Sequence, residues 1–69
     1  MRQIILKPDP EDGGWIAEVH SLPGCVSQGE TKQEAIINIK DAIEFWIGAA
    51  RDTGIAVPHE NFDIQVCVV

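Results

Sequence analysis

The sequence has few basic residues, few cysteines and no long apolar run. It contains 5 lysine and arginine residues against 11 aspartate and glutamate residues, which gives a formal net charge of -6 at pH 7. Because proteins bind phosphates by neutralising them with lysine and arginine, this balance argues against direct binding to nucleic acid. The same negative charge suits a basic protein partner, since complementary fields speed encounter.

The two cysteines, Cys25 and Cys67, are too few and too far apart to form a disulfide framework. We therefore expect reduced thiols in the cytosol. The apolar run at residues 4–6 is far shorter than the hydrophobic region of a signal peptide or a membrane span. We expect neither export nor a membrane anchor.

A chain of 69 residues holds one domain with a small core. Folding at this size buries only roughly 60% of the surface that an unfolded chain exposes, so a lone monomer is marginally stable. The apolar fraction of 45% is typical of a globular protein. We expect a single folded domain over residues 1–69, with no separate DNA-binding domain.

Hydrophobic patterning predicts the order strand, strand, strand, helix, strand. Short apolar or alternating segments at 4–6, 15–19 and 25–28 predict three strands, which proline- and glycine-containing turns separate. Strict alternation at the start of residues 62–69 predicts a fourth. The prediction is a two-layer α+β domain with one long helix on a four-stranded mixed sheet, the last strand lying parallel to an earlier one.

A capping box marks the start of the predicted helix. The Thr31 hydroxyl can accept a hydrogen bond from the Glu34 N–H, and the Glu34 carboxylate can accept one from the Thr31 N–H. Gly54 is a suitable C-terminal stop. Between these ends, apolar residues at spacings of three and four form a stripe that we expect to face the sheet: Ala35, Ile39, Ala42, Ile43, Trp46, Ala49 and Ala50.

Apolar side chains outside that stripe predict self-association. The helix carries Ile36, Phe45 and Ile47 beyond what one sheet face needs, and the last strand has neither proline nor lysine to protect its edge. Pairing with another copy would cover this surface and stabilise a marginal domain. We expect a homodimer or homotetramer in which Ile36, Phe45, Ile47, Val66 and Val68 make the contacts.

Two arrangements of reactive side chains offer limited support for chemistry. A thiol beside an imidazole can be an activated nucleophile, but His20 and Cys25 lack an evident orienting group and an enclosed pocket. Cys25 is more simply a small buried hydrophobe at a strand start. The spacings of the two histidines and two cysteines do not match the paired ligands of a zinc site. We therefore expect no metal and no cofactor.

Carboxylates in the first turn and near the helix start are the candidate partner-binding residues. The turn supplies Asp9, Glu11 and Asp12, and Glu30 precedes the helix. Such a group would meet a basic partner. Two alternatives stay open: an oligomeric module that binds a small ligand or another protein, and a hydrolase or nuclease that uses His20 and Cys25.

Several sequence blocks, taken together, resemble the N-terminal domain of HicB-type antitoxins over nearly the whole chain. They are residues 13–17, residues 22–31 (LPGCVSQGET), the pair Glu34 and Ala35, and residues 38–43; residues 54–58 are similar to the family's helix-to-strand connection. The resemblance implies a partial ribonuclease-H-like fold with strand order 3-2-1-4. It also implies a protein that binds and silences a small basic RNA-cleaving toxin of the HicA type.

Many members of the family continue into a C-terminal domain that binds the operator. This sequence resembles the short, single-domain members instead. The resemblance implies no ribonuclease activity, since that chemistry draws a metal-binding acid from the first strand. Residues 2–7 contain no carboxylate. We therefore expect a non-enzymatic binding module.

Overall fold

Three short strands and one long helix form the part of the chain that the structure describes. A computed structural model describes residues 2–60 and 67–68. The predicted α+β class and the single long helix are confirmed, whereas the fourth strand predicted at 62–69 lies largely outside the described residues. The elements are β1 (Ile5–Pro8), β2 (Trp15–Glu18), β3 (Val26–Gly29) and α1 (Lys32–Thr53).

The described strands form an antiparallel sheet in the order β1-β2-β3. Leu6 pairs with Ala17, and Ala17 pairs with Ser27. Because side chains alternate along a strand, this register separates a face toward α1 from an outer face. The core lies between the sheet and α1, and it consists of Ala17, Val19, Leu22, Cys25, Ala35 and Ile39.

The loop between β2 and β3 closes one end of the core. The Val19 N–H donates to the Cys25 carbonyl at 3.0 Å, and the Cys25 N–H donates to the Leu22 carbonyl at 3.0 Å. These bonds satisfy backbone groups that would otherwise be buried without partners. Leu22 is therefore fully buried in the core although it belongs to a loop.

Both ends of α1 are capped. Thr31 is the N-cap residue, and its hydroxyl accepts a hydrogen bond from the Glu34 N–H at 3.1 Å. The other half of the predicted capping box differs, because the Glu34 carboxylate accepts from the Glu30 N–H instead of the Thr31 N–H. At the other end Gly54 adopts a left-handed conformation with φ of 76°. That conformation favours glycine.

The end of β3 lies against the first turn of α1 because Gly29 has no side chain. A Cβ atom at Gly29 would lie 2.5 Å from the backbone nitrogen of Ala35 and 2.6 Å from the Glu34 Cβ. Nearby, the Asn38 side-chain amide donates to the Gln28 carbonyl at 2.7 Å. Strand and helix are therefore held in direct backbone contact at this end.

Candidate functional site

Four carboxylates surround a cleft where the β1–β2 turn, the end of β3 and the start of α1 meet. The cleft has a volume of about 730 Å³. None of the described residues that line it is basic. We call it the acidic cleft, and its lining residues are Asp9, Asp12, Gly13, Gly14, Gln28, Gly29, Glu30 and Glu34.

Backbone hydrogen bonds fix two of these carboxylates. One oxygen of Asp9 accepts from the N–H groups of Glu11 at 3.0 Å and Asp12 at 3.3 Å. One oxygen of Glu34 accepts from the Glu30 N–H at 3.1 Å. The partial positive charge at the N-terminus of α1 also stabilises negative charge here. The fold therefore supports a concentration of carboxylates that would otherwise repel one another.

Three of the four carboxylates that we predict to bind a partner lie together in the structure. Asp9, Asp12 and Glu30 line the acidic cleft, whereas Glu11 belongs to the same turn but is not among the lining residues. Glu34 was predicted only as a helix cap, and it is the fourth carboxylate of the cleft. The capping-box spacing identified its position at the first turn, but only the approach of the β1–β2 turn makes it part of a site.

The pair of His20 and Cys25 has the wrong environment for an activated thiol. Cys25 is buried in the core, and desolvation by burial raises the pKa of its thiol. A raised pKa reduces the fraction of thiolate, which is the nucleophilic form. Cys25 therefore acts as a small hydrophobe in the core. His20 lies exposed in the preceding loop.

A second surface feature is an apolar groove along the C-terminal half of α1. Its volume is about 360 Å³. Phe45 is 80% exposed beside it, although it is among the largest apolar side chains of the chain. We call it the apolar groove, and its lining residues are Phe45, Trp46, Ala49, Ala50, Thr53 and Ile55.

The helical residues predicted to make oligomer contacts fall on two flanks of α1. Ile36 and Ile47 are eleven positions apart and so lie on one side, where both are half-buried. Phe45 is nine positions from Ile36, roughly half a turn around the axis. Val68 is exposed, and Val66 lies outside the described residues. These residues therefore do not form one continuous helical patch.

A partly buried polar cluster joins three distant segments, and no local pattern in the sequence predicts it. One guanidinium nitrogen of Arg2 donates to the Ser21 hydroxyl at 3.0 Å, and that hydroxyl donates to Glu60 Oε2 at 2.8 Å. The Arg2 nitrogen lies 3.9 Å from the same carboxylate oxygen. Because the three residues belong to different parts of the chain, only the fold brings them together.

Metal binding and membrane insertion are two further properties that the described residues bear on. Among residues 2–60 and 67–68, no group of three histidine, cysteine, aspartate or glutamate side chains is placed to hold a metal ion. In the same part of the chain, no helix is both long enough and apolar enough to cross a membrane.

Comparison with known proteins identifies relatives across most of the chain. A UPF0150 protein of Thermoplasma acidophilum is 39% identical over 61 residues, 88% of each chain. A UPF0150 protein of Synechocystis is 43% identical over 54 residues, 78% of this chain and 68% of the relative. One from Helicobacter pylori is 48% identical over 40 residues, 58% of this chain and 56% of the relative.

A family model described as a HicB-like antitoxin of bacterial toxin-antitoxin systems matches residues 3–67. The match includes β1, β2, β3 and α1, and with them the acidic cleft and the apolar groove. The resemblance seen in the sequence blocks is thereby confirmed. This chain belongs to the family of HicB-like antitoxins of bacterial toxin-antitoxin systems.

Proposed function

We propose that this protein neutralises a small basic RNA-cleaving toxin of the HicA type by binding to it, without catalysis of its own. The observation that carries the proposal is the family match over residues 3–67, because an antitoxin of such a system implies a toxin as its partner. The net charge of -6 supports a basic partner in particular. The raised pKa of the buried Cys25 thiol speaks against the alternative of a thiol hydrolase.

The acidic cleft is the surface on which we propose that the toxin docks. It presents carboxylates from two separate elements to one cavity, so one basic side chain could reach several of them. Lys32, the basic residue at the start of α1, lies over the Trp15 ring at 4.6 Å from its centroid. That cation–π contact holds the ammonium group against β2. Glu11 belongs to the same turn as Asp9 and Asp12, so its carboxylate would add negative charge beside the acidic cleft.

We further propose that the predicted fourth strand pairs with the outer edge of β1, giving the order 3-2-1-4. The support is the cluster of Arg2, Ser21 and Glu60, which places residue 60 beside the segment that leads into β1. A fourth strand that starts after residue 60 and pairs with β1 would be parallel to it, because Glu60 lies beside the segment that precedes β1. We also propose homo-oligomer formation through Ile36, Ile47, Val66 and Val68. Phe45, the fifth predicted contact residue, is left out of this proposal because it lies on the opposite flank of α1 from Ile36.

The test of function is binding to the short basic protein that we expect the adjacent reading frame to encode. Co-expression of the wild-type chain should relieve growth arrest by that protein, and the purified proteins should form a complex with no RNA cleavage. A neighbouring basic protein that neither binds nor is neutralised would contradict the proposal.

The docking surface is tested by Asp12→Asn combined with Glu30→Gln. This pair should slow association with the basic protein several-fold at low salt and flatten the dependence of the rate on salt, because charge steers encounter. The matched control is Glu18→Gln combined with Glu44→Gln. It removes the same charge from β2, where Glu18 Oε2 lies 3.6 Å from the Lys7 ammonium, and from the middle of α1. Equal slowing by both pairs would show that only net charge matters and would reject the acidic cleft as the docking site.

A further inference from the structure

We propose that the apolar groove is a second docking surface, and that a cationic amphipathic helix of the basic partner occupies it. This inference rests on the proposed function, because the partner is the basic protein proposed above. The proposed contact is separate from the acidic cleft and differs from it in chemistry. The acidic cleft recognises charge at the start of α1, whereas the apolar groove receives an apolar anchor at the other end.

The C-terminal cap of α1 forms one side of the groove. Gly54 turns the chain in a left-handed conformation, and its N–H donates to the Arg51 carbonyl at 3.2 Å. The Ile55 N–H then donates to the Ala50 carbonyl at 2.8 Å. This pair of bonds folds the residue after the cap back toward the helix. Ile55 therefore forms one wall of the groove, yet it remains 61% exposed.

Polar atoms in the groove already have partners within the chain. The Trp46 indole N–H donates to the Pro23 carbonyl at 3.0 Å, so the ring is held in place. The Thr53 hydroxyl donates to the Ala49 carbonyl at 2.9 Å. The groove thus offers a guest apolar contact and few hydrogen bonds. A ligand that binds here must therefore place an apolar side chain in the groove.

Charge along the rim selects a basic occupant over a second copy of the chain. Asp41 lies one turn before Phe45 on the same ridge of α1, and Asp52 lies close to the same line, seven positions beyond Phe45. The basic residues of the helix are turned away: Lys40 and Arg51 lie roughly 140° and 120° around the axis from Phe45. A second copy would add its own net charge of -6 to this acidic rim. A cationic helix would instead be attracted to it.

The occupant is therefore a helix with apolar residues on one face and lysine or arginine beside them. Such helices dock by placing apolar anchors at helical spacing into a hydrophobic groove. Phe45 is the residue from which most of the affinity should come, since large aromatic side chains dominate the energy of interfaces. Asp41 and Asp52 should contribute mainly to the rate of association.

The experiment uses Trp46 as a reporter within the groove. Trp15→Phe leaves Trp46 as the single tryptophan, and its emission is followed during titration with a short amphipathic peptide of leucine and lysine. We expect a saturable blue shift, and Phe45→Ala should weaken binding roughly tenfold or more. Asp41→Asn with Asp52→Asn should weaken it about threefold at low salt, with a flatter salt dependence. The control Ile37→Ala, an exposed apolar residue away from the groove, should change nothing.

Three results would overturn the inference. The first is equal affinity of the lysine peptide for the wild-type groove and for Phe45→Ala. The second is equally tight binding of a peptide in which glutamate replaces lysine. The third is a dimer of the chain alone, seen by sedimentation, that Phe45→Ala dissociates, because a second copy would then be the occupant.

A toxin assay separates failure of this inference from failure of the proposed function. If Phe45→Ala neutralises the basic protein as well as the wild type does, the groove has no role and the proposed function stands. If the wild-type chain does not neutralise it, the proposed function fails whatever the peptide does.

Discussion

The two ends of α1 differ in how closely they pack against the rest of the protein. At the N-terminal end the helix touches β3 through backbone atoms at Gly29, and Ala35 and Ile39 are fully buried. At the C-terminal end Phe45 and Ile55 remain exposed beside an apolar groove. One end fits the sheet closely, and the other presents apolar surface to its surroundings.

Length explains this difference. α1 has 22 residues, which corresponds to about 33 Å, whereas each described strand has four residues, or about 13 Å. The described strands are therefore too short to run the whole length of the helix, and in its C-terminal half Phe45 and Ala49 are exposed although Ala50 is buried. We infer that the N-terminal half carries most of the stability and that the exposed face of the C-terminal half, which includes Phe45, is available for binding.

The largest expected effect comes from removing the core side chain of the N-terminal half. Ile39→Ala should lower the free energy of unfolding by about 3 kcal/mol, because it leaves a cavity at a fully buried position. Phe45→Ala, in the other half, should change it by less than roughly 0.5 kcal/mol. Urea denaturation of both variants measures the difference. Similar losses would show that Phe45 is part of the core in solution.

A smaller effect is expected from adding one methyl group at each end. Gly29→Ala should cost about 2 kcal/mol, since its Cβ would meet backbone atoms that cannot move aside. Gly48→Ala is the matched control: nothing lies within 4 Å of its added Cβ, so better helix propensity should stabilise the protein by up to roughly 1 kcal/mol. Thermal unfolding should shift in opposite directions. A shift of the same sign in both would refute the close approach of β3 and α1.

The smallest of the three effects concerns the threonines near the helix ends. Thr31→Ala removes the N-cap and should cost about 1 kcal/mol. Thr53→Ala removes a hydroxyl bonded to carbonyls of its own helix and should be neutral within roughly 0.5 kcal/mol. Chemical denaturation compares the two. A neutral Thr31→Ala would mean that α1 begins at another residue in solution.

Local patterns in the sequence were sufficient to predict the elements that depend on neighbouring residues. Turn residues, alternation and the spacing around Thr31 and Gly54 predict three strands and a helix close to the observed bounds. Along the predicted stripe, Ala35, Ile39 and Ala50 are buried, whereas Ala49 is exposed. Periodicity identifies a helix face, but it does not say how far along that face the sheet extends.

Features that join distant segments could not be predicted in this way. The acidic cleft needs the β1–β2 turn to approach α1, and Glu34 joins it only through that approach. Likewise, no spacing in the sequence connects Arg2 with Glu60. Tertiary placement decides each of these cases.

The cluster of Arg2, Ser21 and Glu60 has a consequence for cooperativity. Its two hydrogen bonds bridge 19 and 39 positions of sequence, so closing them restricts almost the whole chain at once. Closing such long loops costs conformational entropy, so these bonds stabilise the protein most once the intervening segments are folded. We therefore expect the segment before β1 and the segment after α1 to become ordered together, because fraying of either one removes a hydrogen-bonding partner from the other.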